Sequence, residues 1–153
     1  MNPYAHFVKG PDVIGQVESG PAKFKAAVDR WRAGKGLDAS YAPGKWTIHQ
    51  VMTHLADCEI AFAFRLRQAA AEADHTIQPF DQDHWMAVSP GATADEALAL
   101  YSALREWNVK FLRGLKPGMF EKTVTHPERG AMQFQTIVET IAGHDGNHLA
   151  QLS

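Results

Sequence analysis

His144 and His148 stand one helical turn apart in the run His144-Asp145-Gly146-Asn147-His148, close to the C-terminal end of the sequence. The apolar seam Phe134, Ile137, Ile141 projects onto both of them in steps of three and four. Both imidazoles therefore belong to the core-facing side of one helix. Two imidazoles side by side in a core are costly unless each is satisfied. A divalent metal satisfies both, because neutral imidazole is a favoured ligand and i, i+4 spacing lets two nitrogens reach one ion. The competing reading is a chance HxxxH pair, solvated or hydrogen-bonded, and spacing alone weighs the two about equally.

A third ligand has to come from another element. His54 lies at the edge of an earlier apolar stripe, about 100° from Leu55, where it would line the mouth of a cleft. Taken alone, His54 reads as a surface or capping histidine. Taken with the pair, it completes three protein ligands with one open position, the usual catalytic arrangement. Cys58, one turn further on, offers a soft fourth ligand, but a small core residue is the better reading of a free cysteine there. His49 lies about 140° around the helix from His54. His6, His75, His84 and His126 fall in expected ends or loops, and of these only His84 has neighbours, Asp81, Asp83 and Trp85, suited to folding over a cleft.

Other chemistries fit less well. A zincin needs HExxH, whereas an aspartate, one methylene shorter, follows His144, and Gly146 weakens the helix. A di-iron carboxylate bundle needs two ExxH motifs, and only Glu72-Ala73-Asp74-His75 matches, where its helix is ending. There is no GxSxG elbow, no Walker A loop and no GxGxxG after a strand.

Four helical stretches are expected to position these residues, joined by Pro/Gly-marked loops. The first is read as a short turn, an interruption at Ser19-Gly20-Pro21, and a helix from about Pro21 to Arg32. The second opens on the capping box Thr47-Ile48-His49-Gln50, with Trp46 as a staple. It carries Ile48, Val51, Met52, Leu55, Cys58, Phe62 and Leu66 as one stripe to about Ala73. A long loop, Asp74 to Ala92, holds Pro79, Pro90 and the cluster Phe80-Asp81-Gln82-Asp83-His84-Trp85. The third helix starts at the box Thr93-Ala94-Asp95-Glu96, carries Leu98, Tyr101, Leu104, Phe111 and Leu115, and stops at Lys116-Pro117-Gly118. Glu121 to Gln133 alternates weakly, pairing at most briefly at Thr123-Val124-Thr125. The fourth helix runs from about Gln133 to Leu152. This pattern predicts an all-α, antiparallel four-helix bundle with a long loop between helices 2 and 3.

Composition agrees with one globular domain over 1–153. The chain has 153 residues, 45% hydrophobic and 21% charged, which is neither disordered nor fibrous. Fifteen Lys and Arg against 17 Asp and Glu leave a net charge of -2. That balance gives no footprint for nucleic acid and no polybasic membrane patch. One cysteine excludes an internal disulfide framework. The polar start, Met1 to Gly10, lacks a secretory h-region, and no apolar run approaches the ~20 residues that span a bilayer. A cytoplasmic protein is expected.

Gly44-Lys45-Trp46-Thr47-Ile48, His54-Leu55-Ala56-Asp57, Phe80-Asp81-Gln82-Asp83, Thr125-His126-Pro127 and His144-Asp145-Gly146-Asn147-His148 occur in an order and spacing that resembles the DinB/YfiT-like superfamily of metal-binding four-helix bundles. The resemblance covers about Tyr41 to the C-terminus. It implies an up-down-down-up bundle, often a homodimer, with His54, His144 and His148 holding one divalent ion. Zinc or nickel is expected there, with manganese or iron as alternatives. Members of the family include thiol S-transferases, an isomerase and proteins described as metal-dependent hydrolases. The expected activity is transfer of a low-molecular-weight thiol to an electrophilic small molecule. The alternatives are hydrolysis by metal-activated water, or a non-catalytic, stress-related metal-binding bundle. Asp57, Asp83 and Asp145 are candidates for orienting ligand imidazoles as hydrogen-bond acceptors, against the plainer reading of each as a surface carboxylate.

Overall fold

In the computed structural model, which describes residues 2–89 and 91–153, α1 (Val13–Ala33) begins where Asp12 accepts a hydrogen bond from the Gly15 amide at 2.8 Å. Met1 and Pro90, the latter one of the prolines expected to punctuate the long loop, lie outside the described residues. The helix does not break at Ser19-Gly20-Pro21; it starts eight residues before the Pro21 expected from sequence and runs through. A proline in a helix interior removes the hydrogen bond to the carbonyl four residues back, here Val17. Arg105 repairs the loss: its Nη1 donates to the Val17 carbonyl oxygen at 2.8 Å. Gly20 belongs to the same device. A Cβ there would stand 2.5 Å from the Tyr101 hydroxyl and 2.6 Å from Arg105 Nη1.

Both expected capping boxes form. Thr47 and Gln50 open α2 (Ile48–Ala71), and Thr93 and Glu96 open α4 (Ala94–Arg113). Each box satisfies two amides that a helix start leaves unpaired. The loop between them contains a short α3 (Gln82–Ala87), which Asp81 caps through the amides of Asp83 and His84. After α4, Thr123–His126 (β1) and Gly130–Gln133 (β2) pair antiparallel, with His126 opposite Gly130. This hairpin is longer than the brief pairing expected from the weak alternation. Its turn is closed by Gly130 at φ +74°, and β1 is also tied to the long loop, where the Ile77 amide donates to the Thr125 carbonyl. Helix α5 (Phe134–Gln151) completes a mostly helical bundle. Helix α1 packs on α4 and α5, and α2 on α4 and α5.

The core divides into two apolar clusters. Val13, Val17, Phe62, Leu66, Val109, Leu112 and Ile141 belong to one. Phe24, Val28, Val51, Leu55, Ala97 and Tyr101 belong to the other. Gly20, Arg105 and Asp145 sit in the sequence between the two sets on α1, α4 and α5, and Glu59 follows Cys58 at the boundary on α2. Arg105 Nε and Nη2 donate to the two Glu59 oxygens at 3.0 and 2.8 Å, and Nη2 donates to Asp145 Oδ1 at 3.1 Å. Arg105 Nη1 and the Tyr101 hydroxyl both donate to Asp145 Oδ2, and Asn108 Nδ2 donates to Glu59 at 2.8 Å. Arg105 and Glu59 are 2% and 1% exposed. Burial opposes the Arg105 charge, but Asp145, Tyr101 and Glu59 outweigh it and hold the guanidinium charged.

Replacing Arg105 by Met leaves Glu59 and Asp145 buried without a counter-charge. The expected cost is about 3–5 kcal/mol, read as a lower midpoint in urea denaturation. Gly20→Ala drives a methyl group into the same layer and is expected to cost about 1–3 kcal/mol by the same measurement. Wild-type midpoints in both variants would show that the layer does not hold the bundle.

Candidate metal centre

The ends of α2 and α5 that face each other bring three imidazoles together. His54 Nε2 lies 3.1 Å from His144 Nε2, and His148 Nε2 lies 3.1 Å from the same atom. The i, i+4 spacing of His144 and His148 puts them on one face, as the apolar seam predicts. His54 is 2% exposed, deeper than the cleft edge expected from its angle to Leu55, because Trp46 packs over it with ring centroids 4.9 Å apart. Burial lowers the basicity of all three rings. It takes His54 down to about 3, with repulsion from His148 adding to the effect, and it lowers His144 and His148 as well.

The three rings are therefore neutral, and a neutral imidazole has one N–H and one lone pair. His148 Nδ1 lies 2.7 Å from Gln151 Oε1. An amide oxygen only accepts, so the His148 proton belongs on Nδ1 and its lone pair on Nε2. That lone pair aims at a nitrogen already in contact with His54. Converging lone pairs of neutral nitrogen donors suit a divalent cation, and the donor set fits zinc, nickel or a similar ion.

A fourth donor adjoins them. Cys58 Sγ lies 3.5 Å from His54 Nε2 and 3.9 Å from His144 Nε2. Ligand atoms of His54, Cys58 and His144 all fall within 4.8 Å of one another. Burial pushes the Cys58 thiol far above its ordinary range, so the sulfur keeps its proton. Cys58 also belongs to the apolar core and forms the boundary between core and site.

Two cavities reach these donors. One, of about 280 Å³, touches His54, Cys58 and His144. The other, of about 330 Å³, touches His148, with Trp46, Asn147 and Gln151 in its wall. Tyr4 and Gln82 border both. Tyr4 comes from the N-terminal segment, whose 3-10 turn Ala5–Phe7 packs on α5. Two glycines permit that approach: a Cβ on Gly143 would stand 2.5 Å from the Tyr4 carbonyl oxygen, and one on Gly146 would stand 2.7 Å from Phe7 Cβ.

The three carboxylates expected to orient imidazoles are dispersed. Asp145 is buried, but it engages Arg105 and Tyr101. Asp57 lines a separate groove with Thr53 and Ala97. Asp83 borders the second cavity, and its own amide is tied to Asp81. Among the described residues none of the three hydrogen-bonds an imidazole; Gln151 does. Gln151 had a legible signal, since it stands at i+3 from His148 on the same helix face. His84 is exposed. His126 and His75, expected to be solvated, are 8% and 5% exposed, and His126 reaches the first cavity.

This architecture has known relatives. A "Putative metal-dependent hydrolase" of Oceanobacillus iheyensis is 32% identical over 141 residues, covering 92% of this chain and 81% of its own. A protein of the same description from Bacillus mycoides is 30% identical, covering 78% and 69%. YfiT from Bacillus subtilis, described as a probable metal-dependent hydrolase with an unusual four-helix bundle topology, superposes with a TM-score of 0.83. Its identity is 26%, over 95% of this chain and 89% of that one. A mycothiol-dependent maleylpyruvate isomerase shares the fold alone, with a TM-score of 0.71 and 14% identity, over 97% of this chain and 62% of that one. The family model of the DinB superfamily matches residues 16–152, nearly the whole bundle, and the chain belongs to that superfamily.

Proposed function

We propose that the protein is a metal-dependent transferase that moves a low-molecular-weight thiol onto an electrophilic small molecule. His54, His144 and His148 are assigned as the ligands of one divalent ion, zinc or nickel. The observation that carries this reading is the position of the imidazole cluster between two cavities, one touching His54 and His144 and the other touching His148. Chemistry with two organic partners needs two adjoining spaces, whereas hydrolysis needs one organic partner and water. Access from two sides also argues against a closed, purely structural site.

A bound ion supplies Lewis acidity there, making a sulfur or oxygen nucleophile available at neutral pH. The chain's own residues do the rest. Gln151 fixes the His148 ring, Trp46 and Tyr4 pack against the His54 and His144 rings, and the Arg105 layer holds α2 and α5 at the spacing that brings Nε2 atoms together. Cys58 is left outside the assigned set because its side chain packs in the apolar core, while three neutral imidazoles donate without losing a proton. The polar second cavity, with Asn147, Lys45 and Asp83, suits a hydrophilic thiol cosubstrate. The names of the two curated relatives favour a second reading, in which the same site activates water for hydrolysis.

Elemental analysis of the purified protein is expected to give about one divalent ion per chain for wild type and Cys58→Ala, and none for His144→Ala. Metal lost in Cys58→Ala but kept in His148→Ala would exchange those two residues in the set. Gln151→Leu is expected to weaken metal affinity or activity about 10–100-fold, measured by chelator competition.

Catalysis separates the two readings. Glutathione, bacillithiol and mycothiol, each offered with a reactive aryl electrophile, should give turnover only when a thiol is present. Ester or amide turnover without any thiol would replace the transferase by a hydrolase.

A further inference from the structure

The first cavity has a cationic side that the metal chemistry does not use. Arg65 projects from α2 and Arg129 from the β1–β2 turn, and both line this cavity together with His54 and His144. The ion pairs formed by arginines among the described residues join Arg32, Arg105 and Arg113 to carboxylates; none involves Arg65 or Arg129. A half-buried guanidinium without a counter-ion is costly; Arg65 is half-buried, and the exposed Arg129 faces the same space from the rim. Burial lowers Arg65 below its usual range, and Arg129 adds repulsion.

Arg65 is nevertheless held in place. Its Nη2 donates to the Gln78 carbonyl oxygen at 3.0 Å, and its guanidinium lies 5.8 and 5.6 Å from the Phe62 and Phe80 ring centroids. A third donor stands beside it. His126 Nδ1 accepts the Glu128 amide at 3.2 Å, so the neutral ring carries its proton on Nε2. Glu128, exposed at the rim, is the one carboxylate in the cavity wall. Two guanidinium charges against one carboxylate leave one positive charge without compensation, which a monoanion balances. Phe62, Ile77, Phe80, Met132 and Ile137 give the wall an apolar side, with Gln82 and Thr140 as further polar lining.

We infer that the first cavity binds a small carboxylate with an apolar or aromatic body, its carboxylate held by Arg65 and Arg129 and its far end turned toward the histidine cluster. Planar guanidinium groups pair with carboxylates through two parallel hydrogen bonds, and about 280 Å³ lies at the small end of ligand sites. The inference rests on reading this cavity as the substrate side of the proposed metal enzyme. It names the electrophile's chemical class and leaves the thiol open.

Calorimetric titration with phenylacetate, phenylacetamide and phenyl phosphate tests it, on the protein as purified and after chelation. Phenylacetate is expected to bind at least about tenfold tighter than phenylacetamide in both states, or about 1.4 kcal/mol. That preference should fall to about twofold or less in Arg65→Gln and weaken in the exposed Arg129→Gln, while Arg65→Lys, which keeps the charge but not the planar fork, retains only part of it. Equal binding of acid and amide would overturn the proposal. So would a preference that survives Arg65→Gln, or one that disappears on chelation, since the ion would then hold the carboxylate. Tighter binding of phenyl phosphate would make this a phosphate site and overturn the carboxylate assignment. Should Arg65→Gln not fold, an unchanged preference in Arg129→Gln overturns the two-arginine clamp. A carboxylate preference without thiol-dependent turnover would sink the transferase reading and leave this inference standing.

Discussion

Arg105 touches each of the other three long helices of the bundle. It sits on α4, pairs with Glu59 on α2 and Asp145 on α5, and donates to the carbonyl that Pro21 leaves free on α1. A buried guanidinium must find anionic or carbonyl partners on all its donors, because the interior offers no water to replace them. That requirement fixes how the four helices meet. It also fixes the histidines, since Glu59 and Asp145 are sequence neighbours of Cys58 and His144. A shift of either helix along its axis would unpair a buried charge as well as separate the imidazoles.

The ionic layer and the histidine cluster are thus two sides of one cross-section. Apolar packing above and below keeps the ionic layer dry and leaves the histidines 7% exposed or less, which strengthens the electrostatics there. The same exclusion keeps three imidazoles neutral and ready to donate electron pairs. Around that section, elements outside the long helices shape access: the N-terminal segment against Gly143 and Gly146, the α3 loop, and the hairpin that carries His126 and Arg129. The bundle supplies the metal donors, and the additions supply the cavity walls. A division of this kind lets one scaffold hold its donors fixed while the walls vary.

Much of this was legible in advance where a local signal existed. Capping boxes at Thr47 and Thr93 marked two helix starts, and the seam from Phe134 to Ile141 placed His144 and His148 inside. Glu59, Arg105 and Asn108 were missed, although each occupies an apolar-stripe slot. Glu59 stands at i+4 from Leu55 and i-3 from Phe62, and Arg105 and Asn108 continue the spacing from Tyr101. A charged residue in such a slot reads as an interruption until its partners on facing helices are known. Asp145 reads from sequence as a partner of the metal ligands for the same reason: its adjacency to His144 is local, and Arg105 stands forty residues away.

Sequence alone determined where α2 and α4 start, their capping boxes and the inward side of α2, α4 and α5, because those depend on residues within a turn or two of one another. It also selected the three histidines that the fold brings together. Only the tertiary structure decided that α1 runs unbroken through Pro21, since the lost hydrogen bond is made good by a residue on another helix. It alone set Gln151 rather than an aspartate against His148, buried His126, and placed Arg65 and Arg129 on one cavity. Those outcomes depend on which helix faces meet, and no local pattern encodes a partner that lies across the bundle.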